Sequence, residues 1–180
     1  MKNRLTYFYS LLVLITLFSS CNTKTIDIEK ERQNAIDEVM KKLETDRQQK
    51  LDVIQKFYGV FENGDMSVLT DILATNYTQF PSDPGQTPDI DGFIKHAQMF
   101  GSMFSNLKGT QTHILVDKDL VHVRSELEVT HTGEAFGIPK TDKRIKLVAF
   151  DLHHFNKDGK IDKTWHLEDF WGVYSQINSK

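Results

Sequence analysis

The feature that most restricts the fold of this chain is a change of hydrophobic period near residue 104. Before it, apolar residues recur three and four apart. Ile54, Phe57 and Phe61 form one such stretch, and Ile90, Phe93, Ile94, Ala97, Phe100 and Phe104 form another. That spacing gathers side chains on one face of a helix. Beyond it, Val121, Val123, Ser125, Leu127 and Val129 alternate with His122, Arg124, Glu126, Glu128 and Thr130. A period of two describes a strand with one buried and one wet face, as in an antiparallel sheet. Ile145 to Phe155 and Ile161 to Trp171 flank the turn signal Asn156-Lys157-Asp158-Gly159-Lys160 and are expected to pair as a hairpin. Asn63-Gly64 is a stop for the first helix, and Asp65 is placed to cap a short second helix through Leu73. Residues 81–88 contain three prolines and read as a loop. Three helices followed by antiparallel strands predict an α+β domain, with three helices packed on one face of a curved antiparallel sheet.

The N-terminus carries a different message. Lys2 and Arg4 precede an apolar run, Tyr7 to Phe18, that is too short to span a bilayer. Ser19-Ser20-Cys21 then supplies small residues before a cysteine, so residues 1–20 read as a secretory signal peptide. Cys21 is the only cysteine, and no intramolecular disulfide is expected. Its position resembles a bacterial lipobox, although Phe18 stands where a small aliphatic residue is usual. The resemblance implies that Cys21 is acylated, becomes the mature N-terminus and holds the protein on a membrane surface in the cell envelope. Losing Lys2 and Arg4 makes the formal net charge of −3 two units more negative. An acidic chain without a basic stripe is not expected to bind nucleic acid. Residues 21–50 are charge-dense, with Ile36, Met40 and Leu43 at helical spacing, and read as a helical tether. Arg47 and Lys50 interrupt any coiled-coil seam. The globular domain is expected over residues 51–180.

Continuing the hairpin register from Phe155 opposite Ile161 sets Asp151 opposite Trp165 and Leu147 opposite Asp169. One face then carries Ile145, Leu147, Ala149, Asp151 and His153 on one strand and Ile161, Trp165, Leu167 and Asp169 on the other. An acid on such an apolar face costs free energy unless it is partnered or used. Asp169 is therefore the foremost candidate for proton-transfer chemistry, with Trp165 shaping and drying the site. His131 is in phase with Val121 to Val129 and points to the same apolar side. Which residues share this face depends on register, because a slip of one residue moves a whole set to the other face. The seven histidines form no H-x-x-x-H pair on a helix and have no cysteine partner in the domain, so no metal is expected.

Several of these features occur together in one family. The Phe57-Tyr58 pair before Asn63-Gly64-Asp65, the segment His131-Thr132-Gly133-Glu134-Ala135-Phe136-Gly137-Ile138-Pro139-Lys140-Thr141, and Asp158-Gly159-Lys160-Ile161 followed by Trp165-x-x-x-Asp169 resemble the SnoaL-like polyketide cyclases. The resemblance covers roughly residues 51–177 and implies the cone-shaped fold shared with nuclear transport factor two and ketosteroid isomerase. Departures are Lys140 for a proline, Asp142 for a glycine, Phe80 for a histidine, and His166 where an acid often follows the tryptophan. The resemblance implies cofactor-independent ring closure of the aldol type on an apolar ester, with an aspartate as general acid and base. Asp169, His131 and Tyr58 are the candidate catalytic residues. Trp165, His153, Asp151, Phe80 and Phe57 are the candidate ligand-binding residues. Two other readings stay open: an exported, non-catalytic binding module using the same cavity, and a homodimer formed through the outer face of the sheet.

Overall fold

The computed structural model describes the backbone of residues 3–179 and the side chains of residues 27–179. The chain forms two compact units, Met1–Asp46 and Arg47–Lys180. Helix α1 spans Asn3–Asn63. In the first unit Ile36, Met40 and Leu43 are exposed, and side chains such as Gln33 and Asp37 bond one turn apart at 2.8 Å. The segment read as a signal peptide, with Cys21, lies outside the residues whose side chains are described. Among the described residues no helix is long and apolar enough to cross a membrane.

In the second unit the end of α1 contributes Ile54, Phe57 and Val60 to the core. The helix stops where Gly64 adopts φ 74°, a left-handed conformation that suits glycine. The Asp65 carboxylate then accepts from the Ser67 N–H at 3.1 Å. That bond caps a single 3-10 turn, Met66–Val68, which runs into α2 (Leu69–Ile72). Strand β1 (Leu73–Phe80) and helix α3 (Ile90–Met103) follow, the latter capped by Asp89. Strands β2 (Phe104–Asp117), β3 (Leu120–His131), β4 (Arg144–Phe155) and β5 (Ile161–Glu168) lead to α4 (Phe170–Asn178).

The five strands form one sheet in the order β1-β5-β4-β3-β2. Strands β2 to β5 pair antiparallel, as the alternation predicts. Strand β1 pairs parallel to β5, so the sheet is mixed rather than wholly antiparallel. Its sequence, LATNYTQF, conceals this because alternation is lost at Thr75 and Asn76, both exposed beside an irregularity in the pairing. The fourth helix, α4, was not expected: it takes Phe170 and Trp171 from the end of the expected strand, continues to Asn178 and buries Val173 and Ile177.

Two apolar clusters fill the concave side of the sheet. One joins Ile54, Phe57, Leu69 and Phe93 to Val121, Val123, Phe155 and Ile161. The other joins Phe104, Val129, Ile145 and Leu147 to Val173 and Ile177 of α4. Between Val123 and Val129 the inward row of β3 carries Ser125 and Leu127, and Ser125 is paired directly with Ala149 of β4. Two small side chains side by side leave room that larger ones would fill, and the cavity opens above them. Gly133 keeps a second element in place: its N–H and that of Thr132 both donate to the Met103 carbonyl, at 2.9 and 3.0 Å. A Cβ there would stand 2.0 Å from the Ser102 carbonyl oxygen, so the loop after β3 can approach the end of α3 only with glycine.

Candidate active site

The hairpin turn forms as its sequence predicts, with Gly159 at φ 73° and Phe155 paired with Ile161. The next pair is not in phase. His154 pairs with Lys163, so Asp162 is an extra residue in β5, held by its carboxylate to His154 Nδ1 at 2.6 Å. This bulge inverts the faces of the rest of the strand. Asp151 stands opposite His166, not Trp165, and Thr164, His166 and Glu168 are the inward residues.

The consequence for the expected site is large. Trp165 is 40 % exposed and carries Lys163 Nζ over its ring at 5.4 Å. Leu167 is 65 % exposed. Asp169 lies at the surface, beyond the last residue of β5, where its Oδ1 accepts from the Gly172 N–H at 2.8 Å and caps α4. The expectation that Asp169 is a buried acid in an apolar wall is therefore corrected: the carboxylate has a structural partner and is wet. Asp169→Ala is expected to lower stability by about 1 kcal/mol, the usual value of such a cap, and to leave ligand binding unchanged. Thermal melting with a ligand titration checks both.

The cavity and the solvent at its open mouth together take up about 730 Å³ of space between the atoms. Its walls are apolar, with Phe57, Phe61, Phe93, Phe100, Leu107 and Leu127 prominent. Polar groups gather at one pole. Asp151, only 4 % exposed, accepts from the Tyr58 hydroxyl through Oδ2 at 2.6 Å and from His166 Nδ1 through Oδ1 at 2.7 Å. Burial alone would push the Asp151 carboxyl up. The bond and charge of His166, with the Tyr58 bond, outweigh it and hold the group below its ordinary value. Burial likewise depresses His166, but the bonds to Asp151 and Glu168 and their charges override it and raise its pKa to about 10. The pair is therefore an ion pair at neutral pH. Tyr58 is pushed up by burial and by the Asp151 charge, so it serves as a donor.

His153 lies behind Tyr58, fully buried. Because Tyr58 gives its proton to Asp151, its oxygen accepts from His153 Nε2 at 3.2 Å, and His153 Nδ1 in turn accepts from the Thr164 hydroxyl at 3.0 Å. Burial lowers its pKa to about 4, so it is neutral. A continuous chain thus runs Thr164, His153, Tyr58, Asp151, His166, with each donor satisfied. Glu168 completes the pole: Oε1 is 3.5 Å from His166 Nε2, while Oε2 is buried with no hydrogen-bond partner.

Of the residues singled out from sequence, Tyr58, Asp151 and Phe57 line the cavity, and His153 supports Tyr58 from behind. His131 is fully buried but is not among the lining residues. Its Nδ1 is 3.0 Å from the Thr141 hydroxyl, its ring packs 5.7 Å from Phe104, and its backbone closes the loop onto Asp142 and Lys143. Phe80 is 43 % exposed at the end of β1 and does not line the cavity either. His96, His166 and Glu168 were missed as site residues. They are also, among the described residues, the group whose ligand atoms lie within 4.8 Å of one another, brought together from α3 and β5 and not by a spacing along one helix. A signal for His96 was present, since it lies between Phe93 and Phe100 on the apolar stripe of α3. His166 was legible as a departure from the family pattern.

Residues 51–177 match the family described as SnoaL-like polyketide cyclase. Solved structures share the fold. TsrD from Streptomyces laurentii is 21 % identical with a TM-score of 0.67, over 74 % of this chain and 98 % of that one. A protein of Bacillus cereus assigned as a polyketide cyclase is 27 % identical with a TM-score of 0.63, over 72 % and 80 %. IdmH from Streptomyces antibioticus, similarly assigned, is 24 % identical with a TM-score of 0.65, over 72 % and 99 %. No curated protein is similar enough to the chain to count as a relative.

Proposed function

Because the chain belongs to the SnoaL-like polyketide cyclase family, we propose that its cavity takes an apolar small molecule bearing an enolisable ketone or ester and moves a proton beside that carbonyl. One observation carries the reading: an Asp151–His166 pair at 2.7 Å, its aspartate buried and its imidazole partly so, in a cavity walled largely by apolar side chains. Asp151 is engaged on both oxygens and orients His166, which presents Nε2 as a donor to the carbonyl oxygen and stabilises the enolate that forms. Glu168, with one oxygen unpartnered, takes the α-hydrogen. The enolate carbon then attacks a second carbonyl of the same molecule, and the proton on Glu168 returns to the new alkoxide. An intramolecular aldol closure balances in this way with no diffusible co-reactant, and an isomerisation uses the same proton twice.

β-Tetralone, a compact aromatic ketone, is a suitable probe. The protein is expected to exchange its α-hydrogen for deuterium in D₂O, followed by NMR, faster than buffer alone. A probe that occupies the cavity yet exchanges no faster than in buffer would leave only the binding module. The N-terminal reading enters the same proposal: acylation at Cys21 would place the domain on a membrane surface in the cell envelope. Mass spectrometry of the N-terminal peptide is expected to show a diacylglyceryl Cys21, and Cys21→Ala to leave the membrane fraction. An unmodified Cys21 would refute it.

A further inference from the structure

We propose that the pole of the cavity is a binding site for a divalent transition-metal ion of the zinc class, with His96, His166 and Glu168 as its protein ligands. Their ligand atoms lie within 4.8 Å of one another. The His166 Nε2–Glu168 Oε1 separation of 3.5 Å matches the edge of a tetrahedron with bonds of about 2.1 Å, which is about 3.4 Å. Movement of about 1 Å closes the remaining distance to ordinary metal–ligand bonds.

Two further observations point to a cation. Each histidine is held through Nδ1 by its own aspartate: His166 by Asp151 at 2.7 Å and His96 by Asp83 at 2.9 Å. A carboxylate on Nδ1 fixes the ring and the tautomer that leaves the Nε2 lone pair for a metal, the outer-shell arrangement of histidine metal sites. The two aspartates come from different elements, β4 and the loop before α3, so one local turn does not account for both. Glu168 meanwhile keeps Oε2 buried without a hydrogen-bond partner, a state that costs free energy unless a further group completes it. Two imidazoles and one carboxylate are a donor set for zinc, cobalt or iron rather than magnesium or calcium, which take oxygen ligands. Three protein ligands leave a fourth position open to the cavity, as in catalytic rather than structural zinc sites.

The proton on His166 Nε2 and the cation are alternative occupants of one place. Either puts positive charge where the enolate oxygen develops, so the inference deepens the proposed function by naming the electrophile. Metal binding itself does not depend on the carbonyl reading.

The test uses the full chain purified without a histidine tag and treated with chelator. Zinc titrated calorimetrically is expected to bind at one equivalent, and cobalt to give visible d–d bands of a nitrogen- and oxygen-ligated site. His96→Ala and Glu168→Gln are each expected to weaken zinc by at least 100-fold. Asp83→Ala touches no metal and is expected to weaken it about 10- to 100-fold. His113→Ala, exposed on β2 and not among the residues that line the cavity, is expected to change nothing. Absence of stoichiometric binding by the wild-type chain, whose folding is not in question, would overturn the inference. Binding that survives both His96→Ala and Glu168→Gln would overturn it equally. Zinc is titrated with no carbonyl ligand present, so zinc binding without α-hydrogen exchange would sink the functional reading alone, and exchange without zinc binding would sink the metal alone.

Discussion

Asp151→Ala is expected to lower stability by about 3–5 kcal/mol, the usual effect of removing one member of a buried ion pair. The substitution removes the acceptor of both the Tyr58 hydroxyl and His166 Nδ1. The Nδ1–H of a charged imidazole and a phenol O–H would then be left in an apolar cavity without their acceptor, Glu168 reaching only Nε2 of His166. The double variant Asp151→Ala/His166→Leu removes both charges and is expected to be more stable than Asp151→Ala alone. Denaturant unfolding of the four proteins of the cycle measures this. Additive losses would show that the pair is not coupled and that the pole is simply tolerated.

The second large effect is a pH dependence set by His153. Its folded-state pKa of about 4 lies below the ordinary value of 6.5. Between these two values the unfolded chain binds a proton that the folded chain refuses, so stability rises with pH across the window and falls on acidification. Over the full window the loss is roughly 3 kcal/mol. His153→Gln keeps a neutral donor towards Tyr58 but does not titrate. The difference in stability between the two proteins is expected to narrow as pH drops from 6.5 to 4, because only the wild type has an unfolded state that gains a proton at this position while the folded ring stays neutral. A difference that stays constant through that range would mean that His153 is protonated in the folded protein, and the tautomer chain from Thr164 to Asp151 would have to be redrawn.

Much of the fold was legible because long-range order was written locally. The alternation from Val121 to Val129 gave β3, and the Asn156–Lys160 turn gave the β4–β5 hairpin with its first pair correct. Strand β1 was not legible, since its parallel partner is some ninety residues away and its own alternation breaks at Thr75 and Asn76. The candidate site failed at one residue. Asp162 inserts a bulge that sequence periodicity cannot register, because Asp162 and Lys163 are polar whichever way they face. That single insertion exchanged Trp165, Leu167 and Asp169 for Thr164, His166 and Glu168. On β4, where no bulge intervenes, Asp151 and His153 were placed on the correct face. His96 was ambiguous for another reason: a lone histidine on an apolar helical stripe fits a core position as well as a site until the sheet brings His166 to within 6.3 Å of its ring.

The central claim is that reactivity resides at the inward pole of β5 and not at the acid that caps α4. Its most direct test compares α-hydrogen exchange of β-tetralone by the wild type, Glu168→Gln and Asp169→Ala at matched concentrations below their melting temperatures. Loss of at least about 100-fold in Glu168→Gln, the low end for a general base, with a wild-type rate in Asp169→Ala, is the predicted result. A wild-type rate in Glu168→Gln together with loss in Asp169→Ala would contradict the account.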